Sequence, residues 1–264
     1  VHDISWKVLP DNFTLWERIV KGKLAAISIR KASRIVTVSN FSKSEIVKHY
    51  RCSPDHVNVI HSGIDRSFQQ ASVEEVRAFK RKHRLEDQKT IGFLGSIFKR
   101  RNIDKLVYSL DNLKKKHPGI KLLLVGNIFH QAVHSIIKNR PDIIWLKRID
   151  EQEIKAFYTA LDLFVFLSEY EGFGFPPLEA LSCGTVPFVL NKSSLKELYG
   201  EFSISIDHAE VQLIEEVIDH FLDNQATVEQ KIIDRFRKKK AYFDWKRPAD
   251  QYISLFRTVA DQGR

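Results

Sequence analysis

From Thr90 onward, short runs of continuous apolar residues alternate with stretches whose apolar positions recur every three or four residues. The runs at residues 90–95 (TIGFLG), Lys121–Val125 (KLLLV), Ile143–Leu146, residues 163–167 (LFVFL) and residues 186–190 predict strands. They are apolar at successive positions rather than at every second one, the pattern of strands covered on both faces. Between them the spacing predicts helices. One runs from Ile103 to about Lys116, with Asn102 placed to cap it and His117-Pro118-Gly119 to end it. Others cover residues 131–138 and 151–160, and a further one has Pro177 in its first turn and Gly184 at its end. Strands alternating with helices over short links predict a parallel, doubly wound α/β sheet. Ligands of such sheets bind beyond the carboxyl ends of the strands.

The first 65 residues read as a smaller unit. Residues 34–38 (RIVTV) and 57–60 (VNVI) predict short strands, and residues 15–30 and 42–50 predict helices, the second with Ser42 as its cap. Two or three strands make a thin sheet, as expected of the tail of a second α/β domain. Residues 248–259 predict a final amphipathic helix. The expected division is therefore 1–75, an incomplete N-terminal domain; 76–244, a doubly wound domain; and 245–264, a helix returning to the first domain.

Composition narrows the class. A chain of 264 residues, 43% hydrophobic and 28% charged, is ordinary for a soluble globular protein. No run reaches the ~20 apolar residues of a bilayer-spanning helix, and no secretory signal opens the chain. Cys52 and Cys183 stand far apart, which points to a reducing, cytoplasmic compartment and to no disulfide framework. The chain contains no methionine and opens on Val1-His2-Asp3, reading as a processed or truncated start. A formal charge of +9 gathers at Lys99-Arg100-Arg101, Lys114-Lys115-Lys116 and Arg237-Lys238-Lys239-Lys240. The last two lie on helical patterns and read first as solvated faces, second as a patch for the anionic face of a membrane. No groove-reading motif or aromatic platform accompanies them, so nucleic acid is not expected as a partner.

The chemistry concentrates after the 163–167 strand, in Ser168-Glu169-Tyr170-Glu171-Gly172-Phe173-Gly174-Phe175-Pro176-Pro177-Leu178-Glu179-Ala180. Gly172 and Gly174 let backbone approach a ligand without a Cβ in the way. The helix beginning near Pro177 would turn free N–H groups and its positive dipole end towards the same crevice, which suits a phosphate. Glu179 is placed to accept hydrogen bonds from ribose hydroxyls, and Glu171 to do so for a sugar or to steady its developing positive charge. A strand-to-helix turn alone would explain the Gly and Pro. Two carboxylates across such a turn are harder to dismiss.

This segment, through EGFGFPPLEALSCGTVP, resembles the paired-glutamate signature of glycosyltransferase family 4, retaining enzymes of the GT-B fold. The resemblance implies an α/β protein with a Rossmann-like C-terminal donor domain and part of an N-terminal, acceptor-side Rossmann-like domain. It implies a metal-independent hexosyltransferase, with no cofactor, moving a sugar from a nucleoside diphosphate-sugar to an acceptor hydroxyl. Glu171 and His2 would lie at the reacting sugar. Gly172, Phe173, Gly174, Pro177, Leu178 and Glu179 would line the donor. Gly95, Ser96, Arg100 and Arg101 resemble the family's glycine loop and basic pair for the diphosphate, with arginine where the second member is usually lysine, and Gly126 matches its second strand-end glycine. Residues 146–149 fall where the family cradles the base; Arg148 there is either a ligand or a plain surface arginine. The Gly-Ser-Ile…Arg-Arg-Asn pattern leans to GDP-mannose. Implied partners are the nucleotide-sugar and a glycan, polysaccharide or lipid-linked acceptor, with peripheral attachment to an inner membrane face as one setting. The rival readings are a non-catalytic nucleotide-sugar-binding module needing a partner for the acceptor side, a nucleic-acid-binding protein, and, least, a glycosidase.

Overall fold

The computed structural model describes residues 1–262; Gly263 and Arg264, with which the expected 245–264 segment ends, lie outside the described residues. The chain opens with α1 (Ser5–Val8), α2 (Leu15–Lys31), β1 (Ile35–Thr37), α3 (Asn40–Tyr50) and β2 (Val57–Val59). There follow α4 (Val73–Lys82), β3 (Thr90–Leu94), α5 (Ile103–Lys116), β4 (Lys121–Val125), α6 (Gln131–Ile137) and β5 (Ile143–Leu146). Next come α7 (Ile154–Thr159), β6 (Leu163–Phe166), α8 (Phe175–Ser182), β7 (Pro187–Leu190), α9 (Ser193–Tyr199) and β8 (Ile204–Ile206). The described chain closes with α10 (Val211–Asp223), α11 (Gln225–Lys239) and α12 (Lys246–Gln262).

Two sheets result. β1 and β2 pair in parallel, Ile35 against Val57, over a small core of Ile4, Ile29, Ile35, Ile46 and Val57. The larger sheet has six strands in the order β5-β4-β3-β6-β7-β8, every pair parallel. Strands β3, β4, β6 and β7 are buried almost throughout, which is why their sequences carry no alternation. Chain order reverses between β3 and β6, where Ile91 faces Leu163 and Gly92 faces Phe164. Loops leaving these two strands diverge to opposite sides and open a crevice at their carboxyl ends.

Local chemistry explains the starts of the helices. Thr14 with Glu17 and Ser72 with Glu75 form capping boxes for α2 and α4. The cap of α3 is Ser39, whose hydroxyl accepts from the Ser42 N–H, and not Ser42 as the pattern suggested. Asn102 is the N-cap residue of α5, its carbonyl accepting from the Leu106 N–H at 3.2 Å, but its side chain makes no cap hydrogen bond. It adopts a left-handed conformation, and its side-chain N–H donates to the Leu167 carbonyl at 2.9 Å and to Glu169 at 3.3 Å. In the basic runs on α5 and α11, Lys114 meets Asp142, Lys116 meets Asp219 and Lys239 meets Glu201. Among the described residues no helix is long and apolar enough to cross a membrane.

Two strand-end glycines lock β3 to β4. The Gly95 N–H donates to the Val125 carbonyl at 2.9 Å, and Gly126 has φ 137° with its α-carbon pressed on Gly95; an added Cβ would fall 2.0 Å from the Gly95 carbonyl oxygen. That neighbour is backbone and cannot swing aside. Gly126→Ala should therefore cost on the order of 3 kcal/mol, read as a fall in Tm of about 6–12 °C. Gly22, inside α2 with nothing within 4 Å of its would-be Cβ, is the control. There, Gly22→Ala should raise stability by roughly 0.5–1 kcal/mol.

Candidate functional site

The crevice at the β3/β6 switch point is built from three loops. After β3 the chain passes Gly95 and Ser96 and makes one tight turn, Lys99–Arg101, before α5. This turn delivers Arg100 and Arg101 to the crevice. Arg100 lays its guanidinium over the Phe98 ring, 4.7 Å from the centroid, and its Nε is buried without an acceptor in the protein. Arg101 is only 9% exposed, its guanidinium 4.3 Å from the centroid of the Phe166 ring. Its Nη2 meets Glu171 Oε1 at 3.0 Å, while Nε and Nη1 are buried with no acceptor. Burial pushes the Arg101 pKa down, the Glu171 carboxylate opposes that and Arg100 adds to it. The pocket thus holds more cationic charge than its own carboxylate answers.

After β6 the second loop brings in Glu171, whose Oε1 also accepts from the Ser168 hydroxyl at 2.6 Å. The backbone of Glu171 is held by the first two residues of α9, which follow the third loop, between β7 and α9. Its N–H donates to Ser193 Oγ at 3.2 Å, and the Ser194 hydroxyl donates to its carbonyl at 2.9 Å. Ser193 has φ 50°, a left-handed conformation that costs a non-glycine residue on the order of 1 kcal/mol and persists where surrounding contacts hold it. Glu169 ties the three loops together. Its N–H donates to the Arg100 carbonyl, and its carboxylate accepts from Asn102 and, at 2.7 Å, from Lys192.

Glu179 lies one turn into α8, where the Tyr158 hydroxyl donates to its Oε2 at 2.6 Å. Among the described residues no hydrogen bond or ion pair joins it to Glu171, Arg100 or Arg101. The structure also revises how α8 begins. It starts at Phe175 behind a left-handed Gly174 (φ 84°), so Pro176 and Pro177 occupy its first turn. Prolines have no N–H, so of the free donors expected there only those of Gly174 and Phe175 remain ahead of Leu178.

Both loop glycines lie against other parts of the protein. A Cβ on Gly172 would lie 2.5 Å from the His2 carbonyl oxygen, and one on Gly174 would lie 2.7 Å from Leu195 Cδ2. Phe173 and Leu178 are buried in the large core, so their side chains support the loop from beneath. His2 sits at the loop through its backbone, its carbonyl accepting from Ser42 Oγ at 3.0 Å, and its side chain is exposed. Gly126 abuts Gly95 and the Ser96 N–H, which places both glycines and Ser96 at the crevice floor. Arg148 is exposed two residues beyond β5 and is not part of the cluster that joins Arg101 to Glu171. Sequence reasoning did not find Ser168, Ser193, Ser194, Lys192, Tyr158 or Tyr199. The last is fully buried and donates to the Gly174 carbonyl at 2.7 Å. Ser168 lies in the quoted segment, three residues before Glu171, without having been given a role; the others carry no local motif and are brought in by another strand or helix.

Burial holds the Glu179 carboxyl above its ordinary value of 4.5, with the Tyr158 hydroxyl pulling the other way. A folded pKa above the unfolded one means that stability is fully present below the unfolded value and is lost as pH rises through the folded one. Glu179→Gln removes that loss. It should melt above the wild type near pH 7 and lose the advantage below about pH 4, as followed by thermal denaturation across pH.

Comparison with known proteins agrees with this architecture. A family model described as "Glycosyl transferases group 1" matches residues 75–239, and one described as "Glycosyltransferase Family 4" matches residues 1–68. The serotype-specific mannosyltransferase WbdA of Escherichia coli is 26% identical over 86% of this chain, which spans only 29% of that protein. The O-antigen chain mannosyltransferase B of Escherichia coli is 26% identical over 98% of the chain and 69% of its own length. Among solved structures, Anabaena HepE in complex with UDP and glucose superposes with a TM-score of 0.83 at 18% identity, covering 98% of this chain and 70% of that one. WaaG, a glycosyltransferase involved in lipopolysaccharide biosynthesis, gives 0.72 at 14% identity over 94% of this chain and 71% of that one. These likenesses are of fold, the GT-B type of α/β protein. Because the group 1 model runs through the whole crevice-bearing sheet, from α4 to the end of α11, the chain belongs to the glycosyl transferases group 1 family.

Proposed function

We propose that the crevice binds the diphosphate of a nucleotide-sugar and that the chain belongs to a retaining hexosyltransferase. In this reading residues 76–244 take the donor and residues 1–75 contribute to the acceptor side. The observation that carries it is Arg101: a buried guanidinium with two nitrogens lacking acceptors, beside a second arginine whose Nε also lacks one. A buried cation without enough acceptors is costly, and a bound polyanion supplies them. Diphosphate oxygens would meet the free edges of Arg100 and Arg101 and the remaining N–H groups of Gly174 and Phe175 at the head of α8.

In the transfer step the bond from the sugar C1 to the diphosphate oxygen breaks, leaving an oxocarbenium-like sugar. The acceptor hydroxyl then forms its bond to C1 on the same face and passes its proton to a departing phosphate oxygen. The two arginines stabilise the growing negative charge, and preorganised groups of this kind contribute on the order of 3 kcal/mol each. Glu171, held by Arg101 and Ser168, orients the sugar and faces its positive charge; Glu179 receives ribose hydroxyls. The mannosyltransferase names among the relatives and the Gly95-Ser96-Ile97…Arg100-Arg101-Asn102 loop both point to GDP-mannose as donor. The acceptor is a glycan, polysaccharide or lipid-linked glycan, and the reaction runs in the cytoplasm, at the inner membrane face when the acceptor is lipid-linked.

Thermal shift with GDP, UDP, ADP and inorganic pyrophosphate tests the site. Ligand at a hundredfold excess over Kd stabilises by about 2.7 kcal/mol. Arg100→Gln and Arg101→Gln should each weaken nucleoside diphosphate and pyrophosphate by roughly 10–100-fold, the worth of one charged hydrogen bond. Wild-type affinity in both variants would remove the assignment. Glu171→Gln should retain nucleoside diphosphate binding within a few-fold and lose transfer by about 100-fold or more, measured as nucleoside diphosphate release.

A further inference from the structure

Helix α9 touches the Glu171 loop at three points. Ser193 and Ser194 hold the two peptide groups of Glu171, and Tyr199, at the far end, holds the Gly174 carbonyl. Near that far end the same helix carries Glu197, whose carboxylate is taken up by the first unit. Glu197 Oε1 accepts from the Asn40 N–H at 2.9 Å, the Asn40 Nδ2 at 2.8 Å and His61 Nε2 at 3.0 Å; Oε2 accepts from the Phe41 N–H at 2.9 Å. Asn40 and Phe41 open α3, so the carboxylate also faces that helix's positive end. His61 is fixed in turn by the Tyr242 hydroxyl at 2.5 Å, from the segment returning towards the first unit. Four hydrogen bonds from His61, Asn40 and Phe41 hold the Glu197 carboxyl at about 2 in spite of burial, so the clamp is anionic across the physiological range.

The residue before Asn40 closes a ring. Ser39 Oγ donates to the Gly172 carbonyl at 2.7 Å. One can therefore walk from Ser39 to Asn40, across to Glu197, along α9 to Ser194, across to Glu171 and through Gly172 back to Ser39. Every link is a backbone bond or a hydrogen bond at 3.0 Å or less. A short helix held at both ends transmits displacement with little loss. We infer that Glu197 is a positioning residue for Glu171, setting its carboxylate relative to both units through α9 without touching the donor. This rests on the role proposed above for Glu171.

The experiment compares wild type, Glu197→Gln and Asn40→Ala, the last being an exposed residue whose loss removes only one arm of the clamp. Hydrogen–deuterium exchange is read over residues 169–175 and, as internal reference, over β4. Both variants should exchange about tenfold faster in the loop, with β4 unchanged. Nucleoside diphosphate release from nucleotide-sugars should show kcat reduced about tenfold or more, with GDP and pyrophosphate affinity falling less than kcat, because the arginines hang from β3 and only the Gly174 and Phe175 N–H groups move with the loop. Combining Glu197→Gln with Ser194→Ala should cost no more than the worse single change, since both cut one ring. Unchanged exchange in the loop, an unchanged kcat, or losses that simply add would overturn the inference. If the wild type binds no nucleoside diphosphate and consumes no nucleotide-sugar, the functional reading fails instead, and the exchange comparison still decides whether Glu197 positions the loop.

Discussion

A guanidinium cannot shed its charge at accessible pH, so placing Arg101 under the surface forces its surroundings to answer it. One carboxylate does so, and the position of Glu171 follows from that need. Ser168 turns its hydroxyl to the same oxygen, Ser193 and Ser194 grip the peptide, and the Asn102 side chain makes no cap hydrogen bond and binds the β6 loop from the β3 side. The three loops of the crevice are thus organised around one ion pair, which leaves two guanidinium nitrogens without acceptors. Such an arrangement costs stability, and in the function proposed above an anionic ligand would supply the missing acceptors.

The second constraint is the seam between the units. Gly172 lies where a methyl group would strike the His2 carbonyl, and its own carbonyl accepts from Ser39. The loop that carries Glu171 is therefore part of the contact between the two sheets as well as part of the crevice. The covalent crossings between the units run side by side. Ile64 N–H donates to the Phe243 carbonyl at 2.8 Å, and a Cβ on Gly63 would strike the Trp245 backbone at 2.7 Å. Gly172 and α9 are thus where the first unit touches the loop that carries Glu171.

Several residues proved right in place and different in reason. Asn102, Gly172 and Gly174 sit where the pattern put them, yet each answers another part of the protein. Phe173 and Leu178 lie in the donor-loop motif but face the core. Pro176 and Pro177 start the helix well and at the same time delete donors that a phosphate would use. Lys114 and Lys116 of α5 and Lys239 of α11 find acidic partners from distant elements, which is invisible to a reading of charge runs. Five elements went unread altogether: α1, α4, α9, α10 and the edge strand β8, of which α9 bears most directly on the site.

The sequence by itself determined the class of sheet, because strands buried on both faces must be apolar throughout and the helices between them must show a periodic stripe. It also determined which segments reach the crevice, since in a parallel sheet every strand's carboxyl end lies on the same side, and the loops after β3 and β6 carry the arginines and glutamates. The tertiary structure alone decided which of these groups meet. Arg101 finds Glu171 while Glu179 turns to Tyr158, and Ser193, Ser194 and Glu197 become part of the site from a helix with no motif of its own. The physical reason is that hydrogen bonds and ion pairs act over about 3 Å in space, and partners from different strands carry no mark of one another in the order of the chain.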